Sequence, residues 1–454
     1  MPTAPFTLRS TRVPRTATGA SLLLCLVAAT TAHAAPAATP ASASASDPRI
    51  LGWMQGFPPP EDKRIRYTDP DYFSFPKLRW TVCHFRELMP TVGVTRGPGA
   101  AVPLPQRLDS TIDALTFQPL NGTTRMTWAQ SLEANYTDGI VVLHDGVVVY
   151  EQYAGCLDAG GQHGAMSVTK SITGLLGEML VAEGVLKETE TVGAIVPELA
   201  GSAFGDATVK QVLEMTTALQ YSEDYADPDA EVWQYAAAGS TLPAAPGAGA
   251  PRGYFDYLRG VRKQGTHGEA FGYKTINTDA LAWVIARRTG KSVSTLLSER
   301  IWQRLGAEQD AYYTVDSTGT PFAGGGFNAG VRDLARLGQL LLQDGRRDGE
   351  QIVPAAAIAR IRAGGDKGAF AKAGYSLLPG WSYRGMWWIS NNAHGAYMAR
   401  GVHGQALYID PAAKVVIARF GSHPTASNSA NDPTTLPAFE AVASYLMTGS
   451  EPAR

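Results

Sequence analysis

Ser167 and Lys170, three residues apart in the segment MSVTKS, are the pair of side chains best placed in this sequence for covalent chemistry. A serine hydroxyl is a weak nucleophile and needs a base beside it. Apolar residues at helical spacing predict a helix over residues 167–182, and residues three apart lie on one face of a helix. Lys170 is therefore expected to take the serine proton, provided that its pKa is lowered from about 10.4. The alternative is an ordinary serine that caps the start of its own helix.

A second candidate pair, Tyr273 and Asn277, precedes a helix predicted at residues 278–289. A phenol can relay a proton and a side-chain amide can position a substrate, so a loop before a helix is a suitable place for both. The alternative is a buried aromatic residue followed by an asparagine that caps the helix.

A third segment, residues 401–405 with the sequence GVHGQ, opens a late predicted strand. Small residues there would let a substrate lie along the strand edge. We expect His403, Gly404 and Gln405 to contact the substrate, and one backbone N–H of the segment to complete an oxyanion hole with that of Ser167. A structural turn is the alternative interpretation.

Strands from both ends of the chain are expected to position these segments. Two β-branched runs around Asp145-Gly146 predict a hairpin over residues 139–153, and a second hairpin is predicted over residues 405–420. The pattern indicates an α+β fold, in which an antiparallel sheet from both chain ends, flanked by helices, carries an inserted, mostly helical lobe at roughly 187–385. Helices are predicted at 167–182, 208–215, 278–289, 331–344 and 353–363.

The N-terminus has the order of residues that is typical of a secretory signal. Three arginines precede an apolar run at residues 20–29, and Ala32-His33-Ala34 then offers a cleavage site. Residues 1–34 are therefore predicted to be a signal peptide, and the mature protein to be periplasmic or secreted. A disordered, alanine-rich tail and a lipoprotein attached through Cys25 are the alternatives.

Composition divides the rest of the chain into a linker and one domain. Residues 35–52 are predicted to be a flexible linker, because most of this stretch lacks large apolar side chains, and residues 53–454 to be a single globular domain. Two cysteines remain after the signal, Cys83 and Cys156. A disulfide in an oxidising compartment and two unpaired buried thiols are both compatible with the sequence.

The charge pattern excludes several classes of partner. The formal net charge is −2 and no basic run occurs, so neither nucleic acid nor an anionic membrane is an expected partner. The eight histidines are scattered without metal-ligand spacing, and we predict no metal and no cofactor. The expected partner is a small-molecule amide or ester, and the oligomeric state is not indicated.

Together the three segments resemble the serine β-lactamase and penicillin-binding-protein superfamily, whose class A members carry S-x-x-K, S-D-N and K-T-G. Tyr273 and Asn277 stand in place of S-D-N, and residues 403–405 in place of K-T-G. The chain is more closely similar to the 6-aminohexanoate-dimer hydrolases, from about Trp80 to the late hairpin. The matching stretches are MSVTKS, VPELAGS at 196–202, YSEDYADP at 221–228, NTDALAW at 277–283, VRDLARLG at 331–338 and VHGQALYIDP at 402–411.

This resemblance implies a β-lactamase-like fold and a role for each matched residue. Ser167 would be the nucleophile, Lys170 the general base, Tyr273 the proton relay to the leaving group, and Tyr225 a tyrosine that closes over the substrate.

The chain departs from the nylon hydrolases at two places. Ala236 stands where an aspartate holds the substrate ammonium, and small residues at 323–326 replace an asparagine. These departures predict good turnover of short esters and weak turnover of the 6-aminohexanoate dimer. The alternative functions are a D-amino-acid peptidase, a β-lactamase, and a non-catalytic protein of the same fold that binds cell-wall fragments.

Overall fold

The computed structural model describes residues 40–225, 227–240 and 251–448; the predicted signal peptide at residues 1–34 lies outside them. The strands of this part of the chain are β1 (Thr91–Val94), β2 (Thr116–Phe117), β3 (Met126–Thr127), β4 (Thr137–His144), β5 (Val147–Tyr153), β6 (His163–Gly164), β7 (Ala311–Thr314), β8 (Phe327–Ala329), β9 (Arg346–Arg347), β10 (Glu350–Gln351), β11 (Ser382–Arg384), β12 (Trp387–Ile389), β13 (Tyr397–Gly401), β14 (Gln405–Asp410) and β15 (Val415–Gly421). The α-helices are α1 (Pro48–Leu51), α2 (Leu78–Thr81), α3 (Phe85–Leu88), α4 (Trp128–Ala134), α5 (Val168–Ala182), α6 (Val192–Ile195), α7 (Val209–Leu213), α8 (Glu231–Ala238), α9 (Tyr254–Arg259), α10 (Ile276–Thr289), α11 (Val293–Arg300), α12 (Val331–Leu342), α13 (Ala355–Arg362), α14 (Lys367–Ala371) and α15 (Asp432–Thr448). In these ranges no helix is both long and apolar enough to cross a membrane.

The main sheet joins strands from both ends of the chain, as the sequence pattern predicts. Its order is β11-β12-β13-β14-β15-β4-β5, and every neighbouring pair is antiparallel. Both predicted hairpins are confirmed: β4 and β5 flank the turn at Asp145-Gly146, and β14 and β15 flank the turn at residues 411–413. The antiparallel α+β architecture is therefore confirmed.

Helices cover both faces of this sheet. Successive residues of a strand point to opposite faces, so neighbouring residues of β14 contact different helices. Leu407 of β14 and Val416 of β15 lie next to Gly338 of α12. Tyr408, the next residue along β14, instead packs against Phe439 of α15, with ring centroids 5.7 Å apart. The sheet is thus the middle layer between α12 and α15.

The segment predicted as an inserted helical lobe is mostly helical, but α12 does not belong to a separate lobe. This helix packs directly on β4, β14 and β15. Its leucines at helical spacing are fully buried there, which explains the strong amphipathic pattern of residues 331–342. The buried helix α5 lies between the main sheet and the helices of the predicted lobe. It contacts strands β12, β13 and β14 of the sheet and also helices α10, α11 and α13.

A second, four-stranded sheet was not predicted from the sequence. Its order is β1-β7-β8-β6, and two of its strands have only two or three residues, too few for a period-2 pattern to stand out. Strand β6 ends three residues before Ser167, and the N–H of Ala165 donates to the carbonyl of Phe327, 2.8 Å away. This sheet therefore fixes the chain that leads into α5.

The segment predicted as a flexible linker is packed against the domain from residue 41 onward. Arg79, which is fully buried, donates to the carbonyl of Ala43 and, over 2.9 Å, to the hydroxyl of Ser46. Its guanidinium also forms a 3.0 Å ion pair with buried Asp138. The linker prediction thus does not hold for residues 41–51, because a buried cation needs the hydrogen-bond acceptors that this stretch supplies.

Cys83 and Cys156 form a disulfide, with Cα atoms 6.0 Å apart. The bond links the turn after α2 to the loop that follows β5. Of the two possibilities that the sequence left open, the structure shows the paired one.

Candidate active site

Ser167 occupies the N-cap position of α5, but its side chain does not cap the helix. Ser167 is 8% exposed and lines a cavity at the protein surface. The preceding residue, Met166, adopts a left-handed conformation with φ of 46°. Such a conformation is costly for a side chain with a Cβ and is often found at functional turns. The capping alternative is thus not what the structure shows.

The amine of Lys170 lies directly beside the serine. Lys170 Nζ is 2.8 Å from Ser167 Oγ and donates to the carbonyl of Gly324, 2.6 Å away. Lys170 is only 1% exposed, and this burial lowers the pKa of the amine to about 8. The carboxylates of Glu223 and Asp279 act in the opposite direction, since negative charges favour the ammonium form. A useful fraction of Lys170 is therefore an unprotonated amine near neutral pH.

Tyr273 completes the group around the nucleophile. Lys170 Nζ lies 5.1 Å from the centre of the Tyr273 ring. Burial and the charge of Glu223 raise the pKa of Tyr273 well above that of a free phenol, while a hydrogen bond with Ser167 acts to lower it. The loop is held in place because the N–H of Gly272 donates to the carbonyl of Met215, 2.9 Å away. Tyr273 is therefore a protonated phenol at neutral pH.

Glu223 is a functional candidate that the sequence analysis did not single out. Its carboxylate accepts hydrogen bonds from the backbone N–H and the hydroxyl of Thr275, both 2.5 Å long, at the start of α10. It also accepts from the hydroxyl of Tyr225 over 2.8 Å. A carboxylate at a helix N-terminus is favoured by the helix dipole. Glu223 thus ties the loop of Tyr225 to the helix that follows Tyr273.

Asp279 is a second residue that the sequence analysis missed, although it lies two residues after Asn277. It is fully buried, accepts from the hydroxyl of Tyr235, and accepts from the N–H of Ala323 over 3.2 Å. Burial raises the pKa of this carboxyl to about 7, against the opposing effects of the Tyr235 hydrogen bond and Lys170. Two signals in the sequence could have indicated it: an acidic residue in the first turn of a largely buried helix, and its place in the NTDALAW stretch.

Several of these residues line a cavity of about 600 Å³, the size expected for a small-molecule site. The lining includes Ser167, Tyr225, Tyr273, Trp388, Arg400 and Val402. Its accessible surface is mostly apolar, with a few polar and charged groups. The predicted residues Ser167, Lys170, Tyr273 and Tyr225 are thus brought together.

The end of β13, and not residues 403–405, forms the wall beside the nucleophile. A Cβ on Gly401 would lie 3.0 Å from the backbone nitrogen of Ser167, so the strand can approach this closely only because residue 401 is a glycine. Val402 follows and also lines the cavity. Within the described part of the chain, neither the N–H of Ser167 nor that of Val402 is seen to donate to an acceptor.

His403, Gly404 and Gln405 face away from the cavity and hold the strands together. His403 is buried, bonds the carbonyl of His423 over 2.7 Å, and has a pKa lowered to about 4 by that burial. Gln405 exchanges two hydrogen bonds with the backbone of Gly421, and the carbonyl of Gly404 accepts from a buried arginine. The cavity lining therefore contains Gly401 and Val402, and not the three residues that were predicted to contact a substrate.

Two further predicted positions also lie outside the cavity lining. Asn277 is fully buried in the first turn of α10, where it accepts from the hydroxyl of Thr217 over 2.6 Å and donates to the carbonyl of Lys274. It positions the loop of Tyr273 and does not cap the helix. Ala236 lies exposed on α8, one turn after Trp233, whose ring contacts that of Tyr225 with centroids 6.1 Å apart.

One grouping of possible metal ligands occurs in the described ranges, at Cys83, Cys156 and His163, whose donor atoms lie within 4.8 Å of one another. Because the two cysteines are joined in a disulfide, they do not offer the thiolates that a metal would need.

Comparison with known proteins agrees with this geometry. A family model described as Beta-lactamase matches residues 129–436. The chain is 35% identical over 350 residues to the 6-aminohexanoate-dimer hydrolase of Paenarthrobacter ureafaciens. The aligned residues cover 77% of this chain and 86% of that protein. A solved structure from Bacillus anthracis, provisionally named 6-aminohexanoate-dimer hydrolase, is 31% identical, with a TM-score of 0.76 over 86% of this chain and 98% of that one.

A penicillin-binding-protein homologue from Caulobacter crescentus shares the fold, with 18% identity and a TM-score of 0.52 over 69% of this chain and 96% of that one. The family match spans both hairpins and the helix that carries the buried serine and lysine. The chain belongs to the β-lactamase family and is a serine hydrolase related to the 6-aminohexanoate-dimer hydrolases.

Proposed function

We propose that this serine hydrolase is exported and cleaves an amide or ester bond of a small molecule through an acyl-enzyme on Ser167. The observation that carries the proposal is the 2.8 Å contact between Lys170 Nζ and Ser167 Oγ, at the wall of a cavity large enough for a substrate. A buried amine with a lowered pKa, paired with a hydroxyl at a helix N-terminus, is an arrangement suited to nucleophilic catalysis.

The acylation step begins with proton transfer from Ser167 to Lys170. The pKa values support Lys170 as the base, since its pKa is lowered to about 8 whereas that of Tyr273 is raised far above neutrality. The serine oxygen attacks the substrate carbonyl carbon, and the carbonyl π electrons move to oxygen. The backbone N–H groups of Ser167 and Val402, which flank the close approach of β13 to α5, are the proposed donors to this oxyanion.

The tetrahedral intermediate then collapses, and the bond from carbon to the leaving nitrogen or oxygen breaks. An amine leaves well only if it receives a proton. We assign the transfer to Tyr273, which is protonated, lies beside Lys170 and has a hydrogen bond with Ser167. Lys170 then returns to the Tyr273 oxygen the proton that it took from Ser167, and is an unprotonated amine again. Water attacks the acyl-enzyme and gives a proton to Lys170, which passes it to the Ser167 oxygen as the acid product leaves.

The proposed substrate class is that of the related 6-aminohexanoate-dimer hydrolases, linear amides and the corresponding esters. D-amino-acid peptides and β-lactams are the alternative classes on this fold. A panel of short 4-nitrophenyl esters, D-alanyl peptides, a chromogenic cephalosporin and the 6-aminohexanoate dimer separates them, because each class gives its own product.

Replacement of Ser167 tests the mechanism. Ser167→Ala is expected to lower ester hydrolysis by several orders of magnitude, since no other nucleophile lies in the assembled group. A fluorophosphonate probe should label the wild-type protein at Ser167 and leave the variant unlabelled. The matched control is Ser74→Ala, because Ser74 and Lys77 repeat the same spacing in an exposed turn outside the cavity. Activity that survives Ser167→Ala, or labelling at another residue, contradicts the mechanism.

Export is supported by the order of residues in the first 34 positions and by the disulfide, which an oxidising compartment favours. N-terminal sequencing of the native protein should give a start near Ala35, with the protein recovered outside the cytoplasm. A chain that begins at residue 1 or 2 would refute the proposal.

A further inference from the structure

The short segment Ala323-Gly324 contacts both of the buried helices α5 and α10. Lys170 Nζ, on α5, donates to the carbonyl of Gly324 over 2.6 Å. The hydroxyl of Thr173, on the same helix, donates to the carbonyl of Ala323 over 3.1 Å. A Cβ on Gly324 would overlap the side chain of Thr275 at the start of α10. The position of the Lys170 amine therefore depends on where α10 holds this segment.

Asp279 of α10 holds this segment and is itself bound by a tyrosine of α8. One oxygen of its buried carboxylate accepts the N–H of Ala323 over 3.2 Å, and the other accepts the hydroxyl of Tyr235. Tyr235 is 2% exposed and lies outside the cavity lining, so its hydroxyl meets the carboxylate and not a substrate. No third hydrogen bond to this carboxylate is seen in the described part of the chain. Among those residues, Tyr235 therefore supplies the one side-chain donor to Asp279.

The groups around this carboxylate act on it in opposite directions. Burial, the largest effect, raises its pKa, and so does the charge of Asp316. The hydrogen bond from Tyr235 and the ammonium of Lys170 lower its pKa. Tyr221 and Tyr254 also lie near it, and burial raises the pKa of both phenols, so they add no charge at neutral pH. A buried carboxylate that loses a hydrogen-bond donor keeps its proton to higher pH, so the tyrosine of α8 helps to keep a negative charge near the amine.

We propose that Tyr235 is a positioning residue for the proposed base, because its hydroxyl keeps Asp279 ionised and in place near Lys170. Asp279 in turn fixes the segment whose Gly324 carbonyl accepts from the amine. The inference rests on the proposed function, because it concerns the base of the same reaction. Glu223, the other carboxylate that acts on Lys170, has its own donors and does not depend on Tyr235.

Tyr235→Phe tests the proposal, because it removes the hydroxyl and keeps the ring, which packs against Tyr254 and Tyr257 with centroids 5.3 Å away in each case. Loss of the hydrogen bond raises the pKa of Asp279, and a neutral Asp279 no longer favours the ammonium form of Lys170. The pKa of Lys170 therefore falls. The midpoint of the pH profile of kcat/KM for a 4-nitrophenyl ester should move by about half a pH unit to lower pH, which raises the fraction of plateau activity at pH 7 about two- to threefold.

A double variant separates this route from a general loosening of the site. In the Asp279→Asn background Tyr235 has no carboxylate to bind, so the addition of Tyr235→Phe should leave the midpoint unchanged. The matched control is Tyr257→Phe, because the hydroxyl of this neighbouring tyrosine donates to the carbonyl of Glu231 over 3.4 Å. Its midpoint should equal that of the wild-type protein. If Asp279→Asn fails to fold, the comparison of Tyr235→Phe with Tyr257→Phe still decides the question.

A midpoint that Tyr235→Phe leaves unchanged or moves to higher pH overturns the inference, whatever happens to the plateau rate. An equal shift in Tyr257→Phe overturns it as well, as does a further shift when Tyr235→Phe is added to Asp279→Asn. These outcomes are distinct from failure of the proposed function, which would appear as no Ser167-dependent turnover of the ester.

Discussion

The amine of Lys170 and the phenol of Tyr273 both lie beside Ser167, and their opposite pKa shifts assign their roles. Burial disfavours the charged form in each case, so the same physical cause lowers the pKa of the lysine, which leaves more of it as a free amine, and raises the pKa of the tyrosine. The two carboxylates at Glu223 and Asp279 limit this effect on the lysine. The site therefore depends on residues that never contact a substrate carbonyl.

The pH profile of the enzyme follows from this balance. With a pKa of about 8, roughly a tenth of Lys170 is unprotonated at pH 7, so kcat/KM should rise with pH through about 8 and then level off. Asp279→Asn removes a negative charge that favours the ammonium form, so the midpoint should move to lower pH and the fraction of maximal activity at pH 7 should increase. Steady-state ester hydrolysis between pH 5.5 and 10, read to its plateau, gives the midpoint of each protein.

Glu198→Gln is the control for this profile, because the Glu198 carboxylate pairs with Arg287 and is not among the groups that act on Lys170. A midpoint that moves to higher pH in Asp279→Asn, or a flat profile in the wild-type protein, contradicts the role of Lys170 as the base.

Contacts between residues were predictable where a short motif puts both residues on one helix turn. They were not predictable where only tertiary folding brings distant residues together. Ser167 and Lys170 share a helix face, so their spacing alone predicts contact. Arg400 and Asp432 meet only because β13 and the start of α15 border the same cavity. Residues 403–405 were assigned to the substrate because they open a predicted strand in a segment with small residues, but they are absent from the cavity lining, and His403 adopts a left-handed conformation with φ of 63° that the sequence does not indicate.

At the scale of elements, α5 carries the chemistry because it is packed on every side. Its residues from Val168 to Leu180 are all buried, and its start is fixed by β6 and β13. Such a helix cannot shift without moving the nucleophile. The packing leaves room for no side chain at Gly174, where a Cβ would overlap the backbone carbonyl of Gly385.

Gly174→Ala tests this packing. Alanine is normally favoured over glycine inside a helix by about 1 kcal/mol. The clash with a backbone atom should outweigh this advantage and lower the free energy of unfolding by about 1–3 kcal/mol, with a loss of activity as α5 moves. Denaturant unfolding measures the first effect. Gly201→Ala, where nothing lies within 4 Å of the added Cβ, should change stability by less than about 0.5 kcal/mol. A Gly174→Ala protein more stable than the wild type would contradict the contact.

Helix α8 carries the position that tests recognition of the charged end of the substrate. Ala236 lies on its exposed face, one turn after Trp233, which contacts Tyr225 at the cavity. The resemblance to the 6-aminohexanoate-dimer hydrolases implies that a carboxylate at this position holds the substrate ammonium, so Ala236→Asp tests whether the same contact can form in this protein. We expect turnover of the 6-aminohexanoate dimer to rise about ten- to a hundredfold, with ester hydrolysis nearly unchanged. Product formation from dimer and from a 4-nitrophenyl ester gives the two rates, and equal gains in both would count against the placement.

The elements were predictable where the sequence pattern is regular. Both long hairpins and the five predicted helical stretches match observed elements, because period-2 and 3.6-residue patterns are clear there. The longest described helix, α15, was not predicted, and it contains Pro437. The consecutive strands β11, β12 and β13 are short, and Trp387, Trp388 and Tyr397 lie there in short apolar runs. Such runs do not distinguish strand from helix, so the wall that holds Arg400 stayed undefined in the sequence.

At the scale of the whole molecule, the disulfide joins two parts of the chain that are 73 residues apart. A cross-link over a loop of this length should stabilise the folded state by about 4 kcal/mol, chiefly by restricting the unfolded chain. The double variant Cys83→Ser/Cys156→Ser should therefore lose stability by that order of magnitude in denaturant unfolding. A reducing agent should destabilise the wild-type protein and leave the double variant unaffected. Equal stability of the two proteins would show that the cysteines are not paired in solution.

The order of strands in the main sheet has a consequence for the time course of synthesis. Strand β4 pairs with β15, so His144 meets Val415 only after about 270 further residues have been made. At 5–20 residues per second, a ribosome needs roughly 14–54 s for that stretch. During this interval β4 presents an unpaired apolar edge, and a chain that terminates early keeps that edge and is prone to aggregate.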